Sequence, residues 1–279
     1  MMPEYTGSES GMILPGKHFA RNLIERRTLL FQLVRRDFEQ RFVGSAAGWL
    51  WGLVQPLVLL FSWVFIFQMC LHQKPPEGAM TSSYPLWLFC GFLPWLLFQE
   101  TVTRSVSSML DHSNLITKTV FPAEVVPVSI FLSSLANHFL ALMLVLAVIG
   151  IGVGHMSLWM LSLPVYMALI GLLGVGVGWI VASLQVYVRD TAQVLTVVLT
   201  FWFWTTPIFI DERHFPARLQ FLLRLNPFAY LVRAYRDRLL SYRVPDLADL
   251  AIVSGFAVVA FVLGGLFFRH LKRGFADVL

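Results

Sequence analysis

Residues 125–188, VVPVSIFLSSLANHFLALMLVLAVIGIGVGHMSLWMLSLPVYMALIGLLGVGVGWIVASLQVYV, hold no aspartate, glutamate, lysine or arginine and lie between Glu124 and Arg189. One helical crossing of a bilayer core takes about 20 apolar residues. The stretch therefore holds two crossings, 125–153 and 158–185, parted at Gly150, Gly152, Gly154 and His155, a glycine-rich polar break that suits a tight turn. The composition agrees: 57% of residues are hydrophobic and only 13% charged, against roughly a quarter charged in soluble domains. Mean hydropathy is +0.70.

Working outward, four more apolar stretches fit crossings at 48–71, 84–102, 191–210 and 250–268. The expected fold is all-α and polytopic, with six transmembrane helices. Residues 1–17 read as a disordered polar tail, and 18–279 as one membrane domain ending in a tail at 269–279. With so much of the 279-residue chain in lipid, no room remains for a separate ATPase or sugar-handling domain. The net charge of +5 reports orientation and headgroup contact first, and no nucleic-acid partner is expected. Cys70 and Cys90 lack CxxC spacing and read as buried thiols.

Before the first crossing, 18–42 reads as an amphipathic interface helix. Leu23, Ile24, Leu30, Phe31, Val34, Phe38 and Phe42 fall on one side, with Arg21, Glu25, Gln32, Arg36 and Glu39 opposite. Its basic excess suits a helix in the headgroup plane or packed on protein. An even number of crossings puts both termini on one side, and the basic N-terminal segment makes that side cytoplasmic. The long loop 211–249 is the exception to the charge rule, with seven arginines between Arg213 and Arg243 on the outside, accompanied by five acids. Within it, 215–225 and 227–240 read as two short amphipathic helices separated by Asn226 and Pro227. They fit a pair dipping into the outer leaflet equally as well as a hairpin resting on it.

Ion-driven transporters keep ionisable groups inside the bilayer, and these crossings offer almost none. Glu100 and Arg104 are one turn apart and read as an interfacial ion pair; Asn137 and His138 read as interhelical hydrogen bonders. HExxH, GxxxxGK[ST] and GxSxG are all absent, so the chain is not expected to be an enzyme or to hold a metal or cofactor of its own. Energy must come from outside. Gly171, Gly174, Gly176, Gly178, Gly264 and Gly265 read as close-packing faces. Phe201, Trp202 and Trp204, in a run of four rings before Pro207, are the candidate channel-lining aromatics.

Several blocks resemble one family. They are Val34-Arg35-Arg36-Asp37-Phe38 through Gly48-Trp49-Leu50-Trp51 to Gln55-Pro56-Leu57; Asn114-Leu115-Ile116 through Phe121-Pro122-Ala123-Glu124; Tyr187-Val188-Arg189-Asp190 through Thr206-Pro207-Ile208; and Asn226-Pro227-Phe228 through Tyr235-Arg236-Asp237. In this order they resemble permease subunits of ABC-2 type polysaccharide exporters, most of all O-antigen (lipopolysaccharide) exporters, with teichoic acid and capsule exporters as relatives. The resemblance implies a homodimeric permease in the bacterial inner membrane, two partner ATPase subunits that bind ATP and magnesium, and a lipid-linked polysaccharide as cargo. It also implies a cytoplasmic coupling loop at 111–124. Asn114, Lys118, Phe121, Pro122 and Glu124, with Arg35 and Arg36 of the interface helix, would then meet the ATPase. Asn226, Pro227, Tyr230 and Arg236 would belong to a periplasmic gate segment at 211–249. Ala123 departs from the basic residue common at that position. An ABC-2 exporter of a small lipid or drug is the alternative, and a membrane-embedded glycolipid enzyme a more distant one.

Overall fold

The computed structural model describes residues 27–42, 48–76, 81, 83–118, 121–152, 157–241 and 243–278. The expected tail at 1–17 and the first part of the 18–42 helix lie outside these residues. Among the described residues every regular element is helical. In order they are α1 (Arg27–Phe42), α2 (Trp51–Val64, continued by a π-helical turn Phe65–Cys70), α3 (Tyr84–Asp111), α4 (Ser113–Lys118), α5 (Val125–Gly152), α6 (Leu163–Tyr187), α7 (Thr191–Thr205), α8 (Gln220–Leu225), α9 (Pro227–Arg236), α10 (Leu247–Leu271) and α11 (Phe275–Val278).

Among the described residues, five helical spans are long and apolar enough to cross a membrane: Trp51–Cys70, Tyr84–Asp111, Val125–Gly152, Leu158–Tyr187 and Leu247–Gly274. The crossing expected at 191–210 is different. Its helix, α7, has 15 residues, which at 1.5 Å per residue is about 22 Å, short of a core about 30 Å thick. Pro207 explains the early stop, because a residue before proline is pushed out of the helical region; Thr206 is extended, with ψ 137°. Helix α3 continues well beyond the Val102 boundary expected for it, to Asp111. In the 211–249 segment the first helix is shorter than expected, a 3-10 turn Ala217–Leu219 followed by α8, and α9 passes into a π-helical turn at Asp237–Ser241.

Helices α3 and α6 form the centre. Of their most apolar windows 78% and 72% are buried, whereas none of the window in α2 is. Helix α6 meets α10 at Gly176 and Gly264. A Cβ on Gly264 would lie 2.1 Å from the Gly176 carbonyl oxygen, so these backbones touch only because both residues lack side chains.

Helix α1 packs on α5. Phe31 is 68% exposed, while Leu33 is buried. One turn after Leu33, Asp37 accepts a hydrogen bond from Arg104 Nη2 of α3 at 2.5 Å, and this charge pair orients the helix. The pair expected between Arg104 and Glu100 is also present, at 3.8 Å.

The elements sort to two ends of α3. Around its C-terminal end gather α1, α4, α11 and the start of α5, with Lys272 Nζ donating to Glu124 at 2.5 Å. Around its N-terminal end gather α8, α9 and the start of α10, where Tyr84 donates to the Phe209 carbonyl and Arg236 to the Trp87 carbonyl.

Candidate functional site

A cleft of about 660 Å³ opens between α2, α3, α5 and α7. Its wall mixes rings with hydrogen-bonding groups. Trp51, Trp63, Phe92 and Phe203 supply the aromatic part; Gln55, Gln99, Thr103, Ser134, Asn137, His138 and Thr200 supply the polar part, with Glu100 and Arg104 toward one end. Trp63 meets Phe92 edge-on at 4.6 Å and Phe203 at 5.4 Å, so these rings form one aromatic surface. Beside the cleft, α2 and α7 leave apolar stripes uncovered, Val58, Phe61 and Phe65 on one and Val194, Val197 and Phe201 on the other.

The aromatics singled out in the sequence divide. Phe201 is exposed on the outer face of α7, and Trp204 is exposed and stacked on Phe209. Trp202 sits among Trp95, Phe98 and Phe228, with its indole N–H donating to Asn226 Oδ1 at 2.9 Å. The ring of that run which lines the cleft is Phe203. A helical period of 3.6 residues allows one residue in four consecutive positions to face a chosen direction, but the sequence does not say which.

Asn226 is the cap of α9. Its Oδ1 accepts from Phe228 N and from Trp202, and its Nδ2 donates to Thr206 Oγ1 at 3.0 Å. Pro227, buried at the first helical position, needs no donor partner for its nitrogen. The Tyr230 hydroxyl donates to the Arg224 carbonyl at 3.1 Å, joining α9 to α8. Arg236 donates to the carbonyls of Trp87, Pro207 and Ile208, and its guanidinium lies over the Trp87 ring. Next to Arg236, the buried Tyr235 hydroxyl is 3.1 Å from His138 Nε2, the interhelical bond expected of that histidine.

Charge pairs tie the segment together. Arg233 bridges Glu212 and Asp249, with 2.7 Å to Asp249. Burial opposes its charge, but the two carboxylates outweigh that and hold its pKa above the ordinary value. Burial raises Asp237, only partly offset by Arg243, Arg238 and Arg233. Asp211 is also pushed up by burial, yet hydrogen bonds and charge from Arg213 prevail and keep it below the usual carboxylate value.

The residues expected to meet an ATPase fall into two groups. Asn114 and Lys118 are exposed on α4, and Arg35 and Arg36 are exposed on α1, with Arg35 paired to Glu39 at 2.7 Å. Phe121, Pro122 and Glu124 pack against the neighbouring helices. Phe121 packs on a cluster containing Met109, Trp179, Phe268 and Phe275; Pro122 is buried; the Glu124 carbonyl accepts from Trp179 Nε1. Ala123 is fully buried in the same cluster.

Known proteins are similar to this chain in sequence over most of its length. The O-antigen export system permease protein RfbA of Myxococcus xanthus is 30% identical over 260 residues, 92% of this chain and 97% of its own. An RfbA of Klebsiella pneumoniae is 26% identical over 254 residues, 90% of this chain and 95% of its own. The polysialic acid transport protein KpsM of Escherichia coli is 22% identical over 238 residues, 85% and 91% of the two chains. With residues 28–240 matching its ABC-2 type transporter domain, and five helices among the described residues apolar enough to span a bilayer, this chain belongs to the ABC-2 type transporter family as a multi-pass membrane protein.

Proposed function

We propose that the chain is the permease subunit of an ATP-driven exporter carrying a lipid-linked, O-antigen-like polysaccharide from cytoplasm to periplasm across a bacterial inner membrane. The observation that carries this reading is the near full-length similarity to permeases named for O-antigen export and polysialic acid transport. The cleft supports it chemically. A sugar hydroxyl left unpaired in hydrocarbon costs about 2–7 kcal/mol, so a polymer needs a wall with both hydrogen-bonding groups and ring faces, which this cleft has.

In this reading the permease is a homodimer. A single copy leaves the cleft open and the α2 and α7 stripes bare, and a second copy would cover both. Helix α7 with 206–210 serves as the sixth crossing, and both termini are cytoplasmic. Two separate ATPase subunits hydrolyse ATP with magnesium and press on α4 and α1. Asn114, Lys118, Arg35 and Arg36 make that contact, while Phe121, Pro122 and Glu124 pass the push into α5, α6 and α10. The 211–249 segment closes the periplasmic end.

The test is complementation. Expressed with the ATPase from its own gene neighbourhood in a strain lacking its permease, the chain is expected to restore surface polysaccharide. Intracellular polysaccharide accumulation, with ATPase and permease both present at normal levels, would reject the reading.

A further inference from the structure

Most hydroxyls inside these helices bond back to the carbonyl three or four residues earlier; Thr101, Ser105, Ser108, Ser129 and Ser183 all do so at 2.6–2.8 Å. Ser134 does not. Its Oγ has no partner in the protein although the residue is fully buried. One turn on, Asn137 is only 7% exposed and its Oδ1 is likewise unpartnered. Both side chains line the cleft, and both sit on the same face of α5, at positions i and i+3.

Buried polar atoms left without partners are costly in protein and more so in a bilayer, so paired atoms are the rule. Ser134 Oγ and Asn137 Oδ1, one helical turn apart on the wall of a 660 Å³ cleft and followed by the equally unpartnered His138 Nδ1, are placed for a ligand that brings its own donors and acceptors. An acyl chain has none. A phosphate would seek an uncompensated cation, and the charge of Arg104, the cation of the wall, is already matched by Asp37, bonded to its Nη2, and by Glu100, 3.8 Å from its otherwise unbonded Nη1. A sugar hydroxyl both donates and accepts, and so satisfies Ser134 Oγ and Asn137 Oδ1 alike.

We propose that Ser134 and Asn137 form a carbohydrate subsite that hydrogen-bonds hydroxyl groups of the glycan inside the cleft, opposite the ring surface of Trp63, Phe92 and Phe203. The proposal rests on the polysaccharide reading above and adds to it the residues that touch the sugar. Because neither atom has a partner to lose, Ser134→Ala and Asn137→Leu each remove a binding group without orphaning another, and the fold is expected to keep its thermal stability.

The experiment uses the full chain with its ATPase in nanodiscs, and as probe the water-soluble polysaccharide released from producing cells by mild acid. Each variant is expected to weaken binding by about tenfold, the equivalent of one hydrogen bond, with an unchanged melting temperature and reduced export in cells. Polysaccharide with its hydroxyls acetylated is expected to lose affinity for the native chain and to show no difference between native and variants. Variants that bind and export at native levels, while the native chain exports normally, overturn the subsite alone; a native chain that exports no polysaccharide overturns the functional reading beneath it.

Discussion

The guanidinium carbon of Arg236 lies 3.4 Å from the centroid of the Trp87 ring, and the same guanidinium donates to three backbone carbonyls. Arg236 thereby joins α9, the 207–208 turn and the first turns of α3. A planar five-donor fork meets these demands, and an ammonium does not.

Arg236→Lys is therefore expected to destabilise the protein by about 2–3 kcal/mol, through carbonyls left without donors. A Cβ on Gly91 would fall 2.5 Å from Arg236 Nη2. Gly91→Ala is expected to be damaging in the native background and nearly neutral in Arg236→Ala, a coupling that thermal unfolding of the four variants measures.

In an ordinary helix, alanine in place of glycine gains up to about 1 kcal/mol. At Gly176 the sign reverses. The added Cβ would meet the Ala260 carbonyl oxygen at 2.4 Å, a contact with backbone that cannot rotate away. Gly176→Ala is expected to cost about 2 kcal/mol or more, read as a lower melting temperature, and Gly176→Ser to be no better.

Lys118→Glu reverses an exposed charge on α4 and is expected to cut copurification of the ATPase about tenfold without altering the permease's melting temperature. Phe121→Asp would not separate these effects, since Phe121 also packs on the Trp179 and Phe268 cluster.

Acid is expected to loosen the 211–249 segment through Asp211. Its folded pKa lies below its value of 3.8 in an unfolded chain, so its ionised form favours the fold. The contribution is present in full above that unfolded value and disappears as pH falls through the lower, folded one. Comparing the melting temperature of the native chain with that of Asp211→Asn, the native advantage should shrink as pH is lowered below about 4.

Apolar length was the most legible property: the charge-free run 125–188 becomes α5 and α6, and His138 makes the interhelical bond its type and place suggested. Face was less legible. The periodicity of α1 grouped Phe31 with its apolar side, but that Leu33 would be the buried residue rests on the pairing of Asp37 with Arg104, 67 residues away. The cleft was visible only in part. Trp202 and Phe203 are equivalent in composition, and which one faces the cleft depends on Asn226, whose bond to Trp202 crosses 24 residues. Ser134 gave no signal at all, because an unpaired hydroxyl cannot be distinguished from a paired one until its neighbours are in place.

The amide of Asn226 has a mechanical consequence. One small side chain fastens the last turn of α7, through Trp202 and Thr206, to the first turn of α9, through Phe228. The two helices are latched like a door leaf to its hinge post, so a tilt of α7 would drag α9 along with it. A displacement of α7 thus need not travel through the cleft's contents to reach the 211–249 segment.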